Sequence, residues 1–144
     1  MNNLLQSTDF YIERFLNNDI TETIKTCTKL IKSDDADYLT YFKLGFAYFV
    51  QNNQEQAIIN FNKSIKLNSK YIHSYYFIGC AFLNIDIHKS IENFIKALEL
   101  SPNESLLLFY LGFCYNKTDA QKAIKYYTKC IDTNYAMSID AYYY

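Results

Sequence analysis

The sequence predicts an all-α solenoid in which antiparallel helix pairs stack along one axis. Two observations carry this prediction, and the first is the placement of glycine. The three glycines of the chain recur in one slot, at Gly45, Gly79 and Gly112, with spacings of 34 and 33 residues. Each lies in a segment that otherwise favours helix, where glycine costs about 1 kcal/mol relative to alanine. We expect a shared cause, namely the close approach of a second helix where a side chain is missing.

The second observation is an uneven distribution of charge between alternating segments. From Tyr38 to Gln51 the only charge is Lys43, and residues 105–116 carry none. The lysines and acids lie in the intervening segments, near residues 20–32, 54–67, 87–100 and 119–132. We call the apolar segments A helices and the charged segments B helices. Amphipathic B helices belong at the surface, whereas A helices that are apolar nearly all round need cover on more than one side.

Capping residues predict where individual helices begin. Ser101-Pro102-Asn103-Glu104 combines a capping serine, a proline for the first helical position and a glutamate three residues after the cap. Similar caps, with a Glu or Gln three residues later, are predicted at Asp19, Asn53 and Thr118. Single capping residues are predicted at Ser69 and Asp86. Because only a few residues separate consecutive helices, the helices of each pair must be antiparallel.

The residues around each glycine recur as well, as large, small and aromatic residues in register. Around Gly45 the chain reads Tyr41-x2-Leu44-Gly45-x2-Tyr48, followed by Ala57-x3-Phe61. This pattern resembles the tetratricopeptide repeat, an antiparallel helix pair of about 34 residues. The residues that carry it are Tyr41, Leu44, Gly45, Tyr48, Ala57, Phe61, Tyr75, Ile78, Gly79, Phe82, Ser90, Phe94, Ala97, Pro102, Leu108, Leu111, Gly112, Tyr115, Ala123 and Tyr127.

The resemblance implies a right-handed superhelix that forms a single domain over residues 1–144. We expect a degenerate N-terminal repeat near residues 5–37 and three recognisable repeats at residues 38–71, 72–104 and 105–137. Residues 138–144 are then expected to start a further or capping helix. An atypical first repeat fits this interpretation, because one face of a terminal repeat meets solvent.

A second apolar stripe runs along the A helices, rotated by about 100° from the packing stripe, given 3.6 residues per turn. In the tetratricopeptide family these positions line the concave groove that binds peptides, so the resemblance implies an apolar and aromatic groove. The candidate groove residues are Phe42, Phe46, Phe49, Tyr76, Cys80, Leu83, Phe109, Phe113 and Asn116. Two alternatives stay open: these side chains fill the junctions between neighbouring A helices, or a C-terminal segment fills the groove.

One subgroup of the family uses Lys, Asn and Arg in the groove to clamp the acidic tails of chaperones. The corresponding places in this sequence hold aromatic or aliphatic residues, namely Phe42, Phe46, Phe77, Leu106 and Tyr110. Lys43 is the one isolated basic candidate. We therefore do not expect binding to such tails.

Residues for catalysis or metal binding are sparse. His73 and His88 have no partners at ligand spacing, and the sequence contains no nucleophile motif and no phosphate-binding glycine loop. The four cysteines form no C-x2-C pair and are expected to be small buried thiols in a reducing compartment: Cys27, Cys80, Cys114 and Cys130. We expect no enzymatic activity, no metal and no cofactor.

The charge of the chain argues against polyanionic partners. The formal net charge is -1, which gives no general attraction to nucleic acid or to anionic membranes. Lys122, Lys125 and Lys129 share one face of a B helix, and we interpret this face as solvated. The N-terminal residues lack the basic and long apolar segments of a signal peptide, so a cytoplasmic location is expected.

These observations predict a non-catalytic scaffold that binds a protein or peptide partner through apolar and aromatic anchors. The alternatives are an accessory domain that positions a catalytic domain absent from this chain, and a structural scaffold that associates with itself.

Overall fold

The structure is a computed structural model that describes residues 20–142, with side chains described for residues 20–133. This part of the chain contains seven helices and no strand: α1 (Ile20–Lys32), α2 (Tyr38–Val50), α3 (Gln54–Leu67), α4 (Ile72–Phe82), α5 (Ile87–Leu100), α6 (Ser105–Tyr115) and α7 (Ala120–Tyr142). The all-α prediction is confirmed. The A helices are α2, α4 and α6, and the B helices are α1, α3, α5 and α7.

The helices stack in chain order. Within each pair the A helix packs on the B helix that comes after it, as α2 does on α3, α4 on α5 and α6 on α7. Each of α1, α3 and α5 also packs on the next A helix along the chain. Most contacts join helices that follow one another in the chain, and α2 also packs on α4, so the fold is the predicted superhelix of helix pairs.

The glycines lie at the crossing of the two helices in each pair. A Cβ atom on Gly79 would lie 2.6 Å from the ring of Phe94, and one on Gly45 would lie 2.8 Å from the ring of Phe61. Such distances are too short for a carbon atom to occupy without a shift of the neighbouring ring. The predicted cause of the recurring glycines is therefore confirmed.

Two of the predicted caps are present. Asn53 begins α3, and its Oδ1 accepts a hydrogen bond from the backbone N–H of Gln56 at 3.2 Å. Asp86 begins α5, and its Oδ1 accepts from the backbone N–H of His88 and of Lys89. Because α1, α3 and α5 span the predicted residues 20–32, 54–67 and 87–100, these B helices were predictable to the residue.

The predicted start of α6 at Ser101-Pro102 is wrong. The backbone N–H of Ser101 donates to the carbonyl of Ala97 at 3.1 Å, so Ser101 ends α5. Pro102 consequently lies in a turn, and α6 begins three residues later, at Ser105.

Two other caps are corrected, and one lies outside the described residues. Asp119, not Thr118, caps α7, since its Oδ1 accepts from the backbone N–H of Lys122 at 3.1 Å. Ser69 is not a cap, because α4 begins at Ile72 after Tyr71. Asp19 falls outside the described residues, as does the first helix expected for the degenerate N-terminal repeat.

The last described helix corrects the expectation for residues 138–144. Helix α7 continues unbroken from Ala120 to Tyr142, so residues 138–142 extend this B helix instead of starting another helix. The segment contains neither glycine nor proline, the residues that most readily end a helix. Residues 143 and 144 lie outside the described part.

The core lies between the A and B helices. Its largest fully buried side chains are Phe42, Phe46, Phe61, Ile78, Phe94, Leu107, Leu108 and Leu111. Of the residues that carry the repeat pattern, Pro102 is exposed and six aromatic ones are half-buried, whereas Phe61 and Phe94 are fully buried; the six are Tyr41, Tyr48, Tyr75, Phe82, Tyr115 and Tyr127. The Ser64 and Ser74 hydroxyls form a buried hydrogen bond of 3.0 Å between α3 and α4.

Candidate functional site

The predicted groove stripe is buried on the first described A helix. Phe42 is 0% exposed and Phe46 is 2% exposed, whereas Phe49 is half-buried. The next A helix covers them, since the ring of Phe77 on α4 lies 5.9 Å from that of Phe42 and 4.9 Å from that of Phe46. Phe42 and Phe46 therefore fill the junction between α2 and α4, which corrects their expected exposure to a ligand.

The stripe is covered in the same way on the second A helix. Tyr76 is buried, and its ring lies 5.7 Å from that of Tyr110 on α6. Cys80 and Leu83 are partly buried and pack against the core. Burial raises the pKa of the Cys80 thiol to about 12, so this thiol stays protonated and is a poor nucleophile at neutral pH.

The stripe is open only on α6 among the three described A helices. Phe109 is 48% exposed, Phe113 is 39% exposed and Asn116 is exposed. The ammonium of Lys117 lies 5.0 Å from the centre of the Phe113 ring, a cation–π contact at the edge of this surface. The predicted stripe thus divides into a packed interior part and an exposed part on α6.

A triangle of aromatic rings explains the burial. In the first triangle the rings of Phe42, Phe61 and Phe77 lie 5.7 to 5.9 Å apart. The second triangle repeats this arrangement in the next pair with Tyr76, Phe94 and Tyr110, at 5.2 to 6.0 Å. In both, the third ring comes from the next A helix along the chain.

The third set of positions holds only two rings among the described side chains. Phe109 occupies the position of Phe42 and Tyr76, Tyr127 occupies that of Phe61 and Phe94, and the two rings lie 6.0 Å apart. No described residue supplies the third ring. This pair has the geometry of an interior triangle without the next helix.

Sequence reasoning missed two exposed residues on the helix of Tyr127, one three residues before it and one four residues after it. Ile124 is 66% exposed and Ile131 is 67% exposed on α7. Their counterparts one repeat earlier are the buried Ile91 and the half-buried Leu98. The signal was present in the sequence, because apolar residues recur at these two B-helix positions in every repeat. We call the surface formed by Phe109, Phe113, Ile124, Tyr127 and Ile131 the terminal face.

The remaining polar groups do not assemble a reactive centre in the described part of the chain. None of the four cysteines forms a disulfide, and Cys27 and Cys114 are buried. No group of three or more potential metal ligands occurs among the described residues. Of the three lysines on α7, Lys122 pairs with Asp119 at 3.3 Å, and Lys129 donates to the carbonyl of Pro102 at 3.4 Å.

The described helices include none with the length and apolarity needed to cross a membrane.

Comparisons with known proteins agree with this geometry. Two models of the tetratricopeptide repeat match the chain, one at residues 38–71 and the other at residues 107–134. A search among curated proteins gives no match.

Solved structures with this fold superpose closely. A crystal structure of MamA has a TM-score of 0.79 and 25% identity, over 89% of this chain and 74% of that one. A MamA fragment from Desulfovibrio magneticus RS-1 gives 0.75 and 21%, over 82% of this chain and 68% of the fragment. YrrB, described as a tetratricopeptide protein with an unusual peptide-binding site, gives 0.72 and 15%, over 89% of this chain and 65% of YrrB.

Proposed function

Because this chain is a member of the tetratricopeptide repeat family, we propose that it is a non-catalytic scaffold that binds a protein partner through apolar and aromatic anchors. The partner contacts the accessible part of the A-helix stripe, chiefly Phe109 and Phe113, with Asn116 beside them. The half-buried Phe49 and Leu83 extend this surface along the earlier A helices.

The exposure of Phe109 and Phe113 is the observation that supports the proposal best. Their counterparts Phe42 and Phe46 are buried, so the same apolar position is left accessible on α6. Aromatic side chains on an accessible surface are typical anchors of protein interfaces. That YrrB is described as having a peptide-binding site adds support at the level of the fold.

The non-catalytic part of the proposal rests on the chemistry of the described side chains. Burial raises the pKa values of the Cys27, Cys80 and Cys114 thiols, which disfavours the thiolate that nucleophilic catalysis needs. We further propose one domain with repeats at residues 38–71, 72–104 and 105–137.

Affinity capture with matched variants tests the proposal. The variant Phe109→Ser/Phe113→Ser removes both anchors, and Leu67→Ser removes an exposed apolar side chain of α3 outside the stripe. We expect a directly cross-linked partner to be retained by the wild type and by Leu67→Ser, and to be lost at least about tenfold by the double variant. Equal recovery with both variants would contradict the proposed site.

A further inference from the structure

The terminal face repeats the arrangement of two aromatic rings that a third ring completes in each of the two interior triangles. In the two interior triangles the third ring belongs to an A helix that packs across the preceding pair, with Phe77 on α4 and Tyr110 on α6. The face formed by α6 and α7 offers the same two first rings, Phe109 and Tyr127, at the same spacing. The interior copies therefore indicate both the kind of element that fits the face and the side chain that it must bring.

The interior helices also define the neighbours of the third ring. Three residues before it stands Ser74 or Leu107, and four residues after it stands Ala81 or Cys114, all buried. Ser74 bonds to Ser64 on α3, and the thiol of Cys114 lies 3.6 Å from the Ser90 hydroxyl on α5. A fitting helix therefore carries an aromatic residue between a small or aliphatic residue and a small residue, at spacings of three and four.

No described A helix of a second copy offers a third ring that is free to meet this requirement. The third rings of α4 and α6 are already used within their own chain. On α2 the corresponding position holds the exposed Lys43, and α1 packs against that helix. A helix of a different protein is therefore the occupant that we consider.

We infer that the terminal face binds one apolar helix of a partner protein, which inserts a Phe or Tyr ring against Phe109 and Tyr127. This inference deepens the proposed function and rests on it, since it names the kind of partner. Ile124 and Ile131 flank the inserted ring and lose their exposure on binding. The area that their counterparts bury inside the chain is then buried between two proteins.

A synthetic helix from the chain itself is the probe. A labelled peptide of residues 71–84, with a polar tail for solubility, carries Phe77 as the third ring and is titrated against the full chain by fluorescence anisotropy. The Phe77→Ala peptide is the control for the inserted ring. We expect the alanine peptide to bind at least about tenfold more weakly.

Two protein variants locate the contact. Ile124→Ser removes an apolar side chain of the face, and Ile85→Ser removes an equally exposed isoleucine between α4 and α5. We expect Ile124→Ser to weaken binding of the peptide severalfold and Ile85→Ser to leave it unchanged. Equal binding of the two peptides, equal effects of the two variants, or no binding at all would overturn the inference.

Light scattering of the chain alone tests whether a second copy covers the terminal face. A dimer that is abolished by Ile124→Ser would show that a second copy covers the face, and would also overturn the inference. If a captured partner depends on Phe113 while the peptide fails to bind, the inference fails and the proposed function stands. If neither is observed, both fail.

Discussion

The first and last described A helices carry phenylalanine at the same two positions, yet the structure gives these side chains opposite environments. Phe42 and Phe46 on α2 are buried, whereas Phe109 and Phe113 on α6 are exposed. The difference arises from the next A helix, because α4 covers the first two rings and no described helix covers the second two. In a repeat protein, the neighbouring repeat decides whether an apolar position is core or surface.

The largest expected effect comes from truncating the phenylalanine at the same repeat position on α2 and on α6. Phe46→Ser removes a ring that packs against Phe77 and leaves a cavity, so we expect a loss of about 3 to 5 kcal/mol in the free energy of unfolding. Phe113→Ser removes an exposed ring, and we expect a loss below about 1 kcal/mol.

Urea unfolding of the two variants, followed by circular dichroism, measures both values. Losses of equal size would mean that Phe113 is packed as firmly as Phe46, and the comparison between the two regions would collapse.

The fold was largely predictable because its signals are local. The glycine position and the segregation of charge depend on single residues and on the repeat period, and Asn53 and Asp86 cap their helices without help from distant contacts. The predicted cap at Ser101 failed because the preceding helix extends to this residue. Its backbone N–H bonds to Ala97 of the preceding helix, an outcome that the capping pattern alone does not contain.

The candidate site was predictable only as a set of positions. Phe46 and Phe113 have the same side chain at the same point in the repeat, so no local property separates them. Their burial depends on whether Phe77 of the next A helix, or a counterpart of it, reaches them. This dependence arises from the way the helices stack, so the different burial of Phe46 and Phe113 could be seen only in the structure.

The second-largest expected effect concerns His73, which lies at the junction between α2 and α4. Its ring lies 5.1 Å from that of Tyr71 and 6.1 Å from that of Phe42. Burial lowers the pKa of His73 from 6.5 to about 4, because desolvation disfavours the charged imidazolium. The unfolded chain therefore binds a proton in this range that the folded chain does not.

This difference in proton binding sets the sign of the pH dependence. Stability from the neutral imidazole is fully present above about pH 6.5 and is lost as the pH falls towards about 4. We expect the free energy of unfolding to drop by about 2 to 3 kcal/mol between about pH 7 and about pH 4.5.

The variant His73→Leu is a matched control, since leucine occupies the same repeat position at Leu39 and Leu106. It should flatten the profile in this range when urea unfolding is repeated at each pH. A profile that is equally steep in the variant would assign the effect to other groups.

The smallest expected effect compares glycine in the two regions. A Cβ at Gly79 would lie 2.6 Å from the ring of Phe94, which is fully buried and held between Tyr76 and Tyr110. Because this ring has no free space, we expect Gly79→Ala to cost about 1 to 3 kcal/mol of stability, even though alanine favours helix by about 1 kcal/mol.

The same change at Gly112 tests whether the terminal face leaves room. A Cβ there would lie 2.6 Å from the ring of Tyr127, but this ring is only half-buried and belongs to the pair without a third ring. The ring can move towards the open side, so the gain in helix propensity offsets the contact, and we expect Gly112→Ala to change stability by less than about 1 kcal/mol. Thermal melts of both variants compare the two sites directly. If Gly112→Ala costs as much as Gly79→Ala, Tyr127 is held as tightly as Phe94, and a partner helix would meet a rigid surface instead of an adaptable one.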